Sequence, residues 1–236
     1  MDKGSLYLIP VPLGSGAARD VLPESVIGQA RRLRHFVAEN AKTARAFLKS
    51  LPTDTPLQQI DIRELNEHTP KDALPGLLAP LLAGHDVGLV SEAGCPAVAD
   101  PGAALVALAH EAGIVVHPLI GPSSILLALM GSGLSGQHFA FHGYLPAKDD
   151  LRHRKIRELE NESRREQRTQ LFIETPYRNL RLFQALLDAC AAQTRLGIAT
   201  DLTLPSQHIM TMRCGDWKRR DIPPIDKRPT VFLLQA

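Results

Sequence analysis

The 236-residue sequence predicts an α/β protein with two α/β domains and mainly parallel sheets. Three observations support this fold class. Short apolar runs alternate with longer helix-like segments, three of these runs end in segments rich in Gly, Pro and Ser, and 44% of the residues are hydrophobic. Because the composition shifts near residues 118–122, we expect an N-terminal domain of residues 1–118 and a C-terminal domain of residues 119–236.

The first half of the chain alternates strands and helices. We predict strands over residues 5–11, 35–39, 59–63, 87–90 and 114–116. We predict helices over residues 20–34, 43–49, 70–83 and 101–113, most of them bounded by Pro or Gly. Thr69 is a candidate N-cap for the third helix, because Pro70 suits the first helical position.

The second half is similar but not identical. We predict helices over residues 123–130, 152–168 and 176–189, and strands over residues 139–144, 171–174, 196–200 and 231–234. The segment from Ile209 onward is interpreted as an antiparallel addition of short strands. The helix from Arg152 to Arg168 interleaves Arg with Glu, which indicates a solvated face with i,i+4 pairs. The alternative role for this helix is contact with RNA, because the first turn of the predicted helix contains only basic charged residues.

The charge balance is close to neutral, with 27 Lys plus Arg, 25 Asp plus Glu and a formal net charge of +2. This excludes a generic polyanion binder but allows a local basic patch. Aromatic residues make up only 5%, which argues against a base-stacking platform. The three cysteines lie far apart and form no CxxC, so neither a disulfide framework nor a zinc knuckle is expected.

No metal site and no membrane segment are expected. His138 and His142 share one face of a predicted strand but lack a third ligand. The apolar run near the N-terminus is too short for a signal peptide, and the run at residues 125–130 is too short to cross a bilayer. We therefore expect a soluble cytoplasmic protein.

One sequence match is misleading. Residues 131–136 read Gly-Ser-Gly-Leu-Ser-Gly and fit GxGxxG. A dinucleotide-binding fingerprint follows a strand and opens a helix, whereas here a helical run precedes the glycines and a strand follows. We therefore interpret this segment as a helix-to-strand connection.

Three predicted strands end in segments rich in Gly, Pro and Ser, at residues 10–14, 91–102 and 118–124. Ligands of parallel α/β sheets bind at the carboxyl ends of strands. Small residues at such ends let a ligand approach the backbone closely, and backbone amides at a helix start can hold a carboxylate. The three segments therefore predict one composite cleft for a small cofactor, although each is also compatible with a well-packed turn.

These segments carry a resemblance to a known family. The order-preserving matches are Leu-Tyr-x-x-Pro-x-Pro-x-Gly at residues 6–14, Ser-Glu-Ala-Gly-Cys-Pro-x-x-x-Asp-Pro-Gly at 91–102, Gly-Pro-Ser at 121–123, Ser-Gly-Leu at 132–134, Gly-Tyr-Leu-Pro at 143–146 and Glu-Thr-Pro-Tyr-Arg at 174–178. The chain resembles the tetrapyrrole (corrin/porphyrin) methylase superfamily of S-adenosylmethionine-dependent methyltransferases. Within it, the chain is most similar to the branch that methylates a ribose 2′-hydroxyl of small-subunit ribosomal RNA.

Some segments depart from that branch, so alternatives remain open for the substrate. The branch has Ala-Glu-Asp-Thr-Arg after its second strand, where this chain has Ala-Glu-Asn-Ala-Lys-Thr-Ala-Arg at residues 38–45, and its C-terminal extension has no counterpart here. The chain also lacks the Gly-x-Gly-Pro-Gly-Asp-Pro opening of the porphyrin-methylating branch. RNA is the preferred substrate class, a tetrapyrrole or similar ring is the rival, and a silent S-adenosylmethionine-binding protein is the alternative outside enzymology.

The resemblance implies two α/β domains with the cofactor in the cleft between them, and a homodimer. By motif position, the residues expected to bind S-adenosylmethionine and its product S-adenosylhomocysteine are Pro12, Leu13, Ser91, Gly94, Cys95, Val98, Ser123 and Ser124.

A hydroxyl nucleophile needs a base, and two carboxylates follow predicted strands. Glu39 is the first candidate base and Glu174 the second, although either could simply brace a loop. The residues expected to contact the substrate are Asn40, Lys42, Arg45, Asn66, His68 and Arg178.

Overall fold

The computed structural model describes residues 2–236, and these form two compact units. Unit 1 extends to Ser123, and unit 2 comprises Ser124–Ala236. The sequence placed the boundary after residue 118, within the connection that the structure assigns to unit 1. No helix within residues 2–236 combines the length and the apolar character that a membrane span requires.

Unit 1 is built on a five-stranded sheet in which every neighbouring pair is parallel. Its strands are β1 (Leu6–Leu8), β2 (His35–Ala38), β3 (Asp61–Glu64), β4 (Val87–Val90) and β5 (Val116–Pro118). Their order in the sheet is β3-β2-β4-β1-β5. Because all five strands run the same way, the loops that leave their C-terminal ends share one edge, which we name the carboxyl edge.

Helices cover both faces of this sheet. They are α1 (Glu24–Arg32), α2 (Ala41–Ser50), α3 (Leu74–Leu77), α4 (Ala79–Leu82) and α5 (Gly102–Glu111). Short 3₁₀ turns span Ala18–Asp20, Leu57–Gln59 and Lys71–Ala73. Neighbouring residues of β2 contribute to different cores, since Phe36 packs in one apolar cluster and Val37 in another. This alternation is what a strand buried on both faces requires.

The single helix predicted over residues 70–83 was wrong. The chain forms a 3₁₀ turn and then the two short helices α3 and α4. Pro75 and Pro80 each lack an amide proton and occupy the first turn of these short helices, so a continuous helix cannot form. Thr69 does not cap the segment; its hydroxyl accepts a hydrogen bond from the Asn66 amide at 2.9 Å.

Unit 2 contains a second five-stranded sheet, with the order β6-β7-β10-β8-β9. The strands are β6 (Phe139–Tyr144), β7 (Thr169–Ile173), β8 (Arg195–Thr200), β9 (His208–Arg213) and β10 (Thr230–Gln235). Only β6 and β7 pair in parallel, whereas β7–β10, β10–β8 and β8–β9 are antiparallel. The α/β fold class and the antiparallel addition after Ile209 are confirmed. The mainly parallel arrangement is confirmed for the sheet of unit 1 but was wrong for unit 2, where three of the four strand pairs are antiparallel.

The helices of unit 2 are α6 (Ser124–Ser132), α7 (Asp149–Glu166), α8 (Asn179–Ala189) and α9 (Cys214–Trp217), with a 3₁₀ turn at Pro176–Arg178. The purely basic first turn expected for the charged helix was wrong, because α7 begins at Asp149 and its first turn carries Asp149 and Asp150. The interpretation of residues 131–136 as a connection is confirmed, since they link α6 to β6.

Candidate active site

The loops that follow β1 and β4 are joined at the carboxyl edge of unit 1. Val11 and Gly94 form an isolated antiparallel bridge. The Val11 amide donates to the Gly94 carbonyl at 3.0 Å, and the Gly94 amide donates to the Val11 carbonyl at 3.1 Å. Two reciprocal hydrogen bonds between non-sequential loops fix their relative position.

Two glycines allow the loops to approach this closely. Gly94 has a φ of +76°, and a Cβ there would lie 3.1 Å from Leu13 Cδ2 and 3.4 Å from the Pro122 carbonyl oxygen. At Gly121, in the loop after β5, a Cβ would lie 2.2 Å from Pro10 Cβ. The loops after β1, β4 and β5 therefore meet at distances that exclude larger side chains.

The polar side chains of the loop after β4 are turned toward the backbone. Ser91 is buried, and its hydroxyl donates to the carbonyls of Ala93 and Gly94 at 3.3 and 3.4 Å. The Cys95 thiol donates to the Pro122 carbonyl at 3.4 Å. Burial raises the pKa of the Cys95 thiol, so the group is a neutral packing and hydrogen-bonding element rather than a nucleophile.

Asp100 organises the second half of this loop. Its carboxylate accepts from the Ala97 amide at 2.9 Å and from the Gly102 amide, at the start of α5, at 2.7 Å. Burial raises the pKa of Asp100, and these two amide hydrogen bonds oppose that shift. Ala97 and Ala99 adopt left-handed φ angles of +65° and +61°, a strained geometry that tight local bonding maintains. Between them, Val98 is 49% exposed and offers an apolar surface at the carboxyl edge.

Glu39 directly follows β2, which is the sheet neighbour of β4. The backbone of Glu92 lies close enough to the Glu39 carboxyl to favour its charged form and so to lower its pKa. The pKa of Glu39 is nevertheless raised, first by burial and then by the negative charges of Glu92, Asp100 and Glu67. A partly desolvated carboxyl among other carboxylates is suited to taking up a proton, and the combination is characteristic of functional sites.

Most of the residues that we predicted to contact the substrate lie in the segments that follow β2 and β3, at the same carboxyl edge. The side-chain oxygen Oδ1 of Asn40 accepts from the amides of Lys42 and Thr43, so this side chain caps α2. Lys42 and Arg45 are exposed on α2, and neither forms an ion pair within residues 2–236. After β3, the backbone amide of the exposed His68 donates a hydrogen bond to the Asn66 side chain at 3.0 Å, which closes a local turn.

Two predicted residues lie in unit 2, at the end of β7. Glu174 is buried, and its Oε1 accepts from the Arg178 side chain at 2.7 and 3.0 Å and from the Thr175 amide at 2.7 Å. Its other oxygen, Oε2, is buried and has no hydrogen-bond partner among the described residues. An unpaired buried carboxylate oxygen is a free acceptor for a donor group. Arg178 is committed to Glu174, which weakens its expected role as a phosphate contact.

The structure brings most of the predicted cofactor residues together at the carboxyl edge of unit 1: Pro12, Leu13, Ser91, Gly94, Cys95, Val98 and Ser123. Ser124 begins α6 of unit 2. The bridging role of Val11 and the influence of the Glu92 backbone on Glu39 were not predicted from the sequence. Among the described residues, no group of three or more His, Cys, Asp and Glu could hold a metal ion.

A parallel α/β unit whose closely packed Gly- and Pro-rich loops meet at the carboxyl edge defines the class of small-ligand-binding α/β enzymes. The family model for Tetrapyrrole (Corrin/Porphyrin) Methylases matches residues 5–217. The chain belongs to this family and is a methyltransferase.

Curated relatives and solved structures agree with this assignment. Over 212 residues, the chain is 32% identical to "Ribosomal RNA small subunit methyltransferase I" of Vibrio cholerae, covering 88% of this chain and 68% of the relative. The relative of the same name from Mesorhizobium japonicum is 36% identical over 211 residues, covering 88% of this chain and 66% of the relative.

Two solved methyltransferases share the fold. CobJ has a TM-score of 0.65 at 18% identity and covers 99% of this chain and 94% of its own. Uroporphyrin-III-C-methyltransferase from Thermus thermophilus has a TM-score of 0.55 at 17% identity, with 98% and 92% covered. At these identities the likeness shows the fold.

Proposed function

We propose that the chain transfers a methyl group from S-adenosylmethionine to a ribose 2′-hydroxyl of RNA. The observation that carries this proposal is Glu39, a carboxyl with a raised pKa beside the glycine-joined loops of the carboxyl edge. The substrate class rests on the relatives, which are named for small-subunit ribosomal RNA. The cofactor is inferred from membership of a methylase family.

The carboxyl edge fits the proposed cofactor. S-adenosylmethionine, when bound, supplies an electrophilic methyl group on a positively charged sulfonium. Carboxylates complement a cationic ligand, and the charges of Glu92, Asp100 and Glu67 already act on Glu39. The missing side chains at Gly94 and Gly121 let the three loops pack against one another, which gives this edge a fixed surface. We assign the cofactor contacts to Pro12, Leu13, Ser91, Gly94, Cys95, Val98, Ser123 and Ser124.

Glu39 is proposed as the general base. The ribose hydroxyl must lose its proton as the new bond forms, and a base works best with a pKa near the working pH. Burial and neighbouring carboxylates move the pKa of Glu39 upward in that direction, and the Glu92 backbone opposes part of the shift. The chain's other contribution is to orient the hydroxyl and exclude water.

Glu174 stays a second candidate base. Because Arg178 and the Thr175 amide both bind its Oε1, only Oε2 is left to accept a hydrogen bond from a ligand. We therefore favour a ligand-positioning role for Glu174. Lys42 and Arg45, exposed on α2 just beyond Glu39, are proposed to contact substrate phosphate. We further propose that the protein acts as a cytoplasmic homodimer.

The test combines calorimetry with methyl transfer. Wild-type protein is titrated with S-adenosylmethionine and S-adenosylhomocysteine, and it is then incubated with small ribosomal subunits and methyl-labelled cofactor. A ribose 2′-O-methyl group protects the adjacent phosphodiester from alkali, so the label should appear in alkali-resistant dinucleotides. Glu39→Gln should lower kcat about 100-fold or more while leaving cofactor affinity intact. Glu67→Gln is the matched control, because Glu67 acts on Glu39 only through its charge.

Each outcome separates the proposal from a rival. If the protein binds the cofactor and methylates a tetrapyrrole but not RNA, the substrate is a ring and the RNA proposal is wrong. Cofactor binding with no transfer to either substrate would indicate a silent binding protein. Equal kcat losses in Glu39→Gln and Glu67→Gln would remove Glu39 from the role of base.

A further inference from the structure

The long helix of unit 2, α7, divides its residues between a buried and an exposed face. Arg152, Ile156, Leu159, Glu160 and Ser163 are buried, at the spacing of one helical stripe. The buried Glu160 accepts from the Ala191 amide at 2.8 Å and from the Thr194 hydroxyl. The carboxylate of Glu160 is therefore used mainly inside the unit.

The acidic residues of α7 outside the core are largely paired. Glu158 binds Lys155 at 2.6 Å, and Glu162 binds Arg168, just beyond the helix, at 2.6 Å. Glu166 binds Arg165 at 2.6 Å and Arg168 at 2.8 Å. These pairs neutralise the carboxylates locally.

Of the remaining arginines on the exposed face, two have no carboxylate partner in the described part of the chain and the third, Arg164, has only a long ion pair. Arg154 and Arg157 are exposed and form no ion pair among residues 2–236. Arg164 lies 3.9 Å from the buried Glu160 and donates to the Asn161 side chain at 3.4 Å. Residues 154, 157, 161 and 164 are three or four positions apart, so they form one stripe about 15 Å long. We name Arg154, Arg157 and Arg164 the arginine stripe.

We infer that the arginine stripe binds the phosphate backbone of RNA. This inference rests on the proposed function and names the surface that would hold the substrate. The guanidinium groups of Arg154 and Arg157 have no carboxylate partner among the described residues, so they are free to bind phosphates and release counterions when they do so. The formal net charge of the chain is only +2, so attraction for RNA must come from a local concentration of positive charge such as this one. Asp150, in the first turn of the same helix, forms no ion pair among the described residues.

The experiment measures the affinity of the full chain for a fluorescein-labelled 20-nucleotide single-stranded RNA of mixed sequence, by anisotropy at several salt concentrations. Arg154→Glu/Arg157→Glu should weaken binding at low salt by about tenfold or more and reduce the slope of log affinity against log salt by about 1.4. Arg154→Lys/Arg157→Lys keeps the charge and should keep most of the slope. Glu158→Gln frees Lys155 and should tighten binding.

Arg157→Glu and Arg220→Glu form a matched pair, because both side chains are exposed in unit 2 and both changes alter the charge equally. A larger loss for Arg157→Glu supports the stripe, whereas equal losses show a general charge effect and overturn it. Thermal denaturation of each variant checks folding. Methyl transfer to RNA that is unaffected by Arg154→Glu/Arg157→Glu overturns the stripe alone. RNA binding through the stripe with no methyl transfer overturns the proposed function alone.

Discussion

Replacing Gly94 with alanine tests whether the close approach of the loops at the carboxyl edge is a real constraint. Gly94 combines a left-handed φ of +76° with two close neighbours, Leu13 Cδ2 at 3.1 Å and the Pro122 carbonyl oxygen at 3.4 Å from an added Cβ. The left-handed backbone alone costs an alanine about 1–2 kcal/mol. Displacing Leu13 adds about 1 kcal/mol, at the low end for overpacking because Leu13 is half-buried. The sum is about 2–3 kcal/mol.

Two other glycines of unit 1 provide matched controls. Gly113 also has a positive φ, +63°, but its added Cβ would meet only the flexible end of Lys3 at 3.7 Å. Gly113→Ala should therefore cost about 1–2 kcal/mol, the backbone part alone. Gly28 lies within α1 with nothing near its added Cβ, so Gly28→Ala should stabilise the chain by about 1 kcal/mol.

The assay is unfolding in urea, monitored by far-ultraviolet circular dichroism. The single tryptophan, Trp217, lies in unit 2, so its fluorescence reports separately on the unit that these changes do not touch. Gly94→Ala should be the least stable of the three variants and should also bind S-adenosylhomocysteine more weakly. If Gly94→Ala is no less stable than Gly113→Ala, the contacts of Gly94 with Leu13 and Pro122 do not constrain the loop and the reasoning fails.

Three further changes test other parts of the chain. Asp100→Ala removes the acceptor of two loop amides and should cost about 2–3 kcal/mol in urea unfolding, with Asp100→Asn recovering part of the loss. Because burial raises the pKa of Glu39, the charged form of this side chain is disfavoured in the folded chain. Glu39→Gln should therefore raise the melting temperature at pH 8 but not below about pH 4. A difference in melting temperature that does not depend on pH would contradict burial of the charge as the cause. Glu160→Ala leaves the donors of segment 190–194 unpaired and should destabilise unit 2 by about 2–4 kcal/mol, measured by Trp217 fluorescence. The control variant Glu158→Ala should unfold like the wild-type protein.

The strands of unit 1 were well predicted from the sequence because a strand that is buried on both faces consists of a short run of apolar residues, as in Val87–Val90. Helix ends were harder to predict. The start of α7 was placed too late because Asp149 and Asp150 carry no apolar periodicity, although acidic residues favour a helix N-terminus. The break between α3 and α4 depends on prolines that are also acceptable at a helix start.

Non-local pairing could not be derived from the sequence. The antiparallel pairings of β10 with β7 and β8 join segments far apart in the chain, and an apolar run has the same pattern in either direction. At the candidate site, the Gly- and Pro-rich strand ends were predictable as a group. The Val11–Gly94 bridge and the influence of the Glu92 backbone on Glu39 arise only once neighbouring loops are folded against each other.

The reciprocal hydrogen bonds of Val11 and Gly94 have a consequence for how ligands bind. These bonds tie the loops after β1 and β4 together before any ligand arrives. A small molecule entering this edge therefore meets an ordered surface, and association does not have to immobilise the chain. Hydrogen exchange should show this directly: the amide protons of Val11 and Gly94 should exchange slowly and together in the free protein, because neither can reach water until both loops separate.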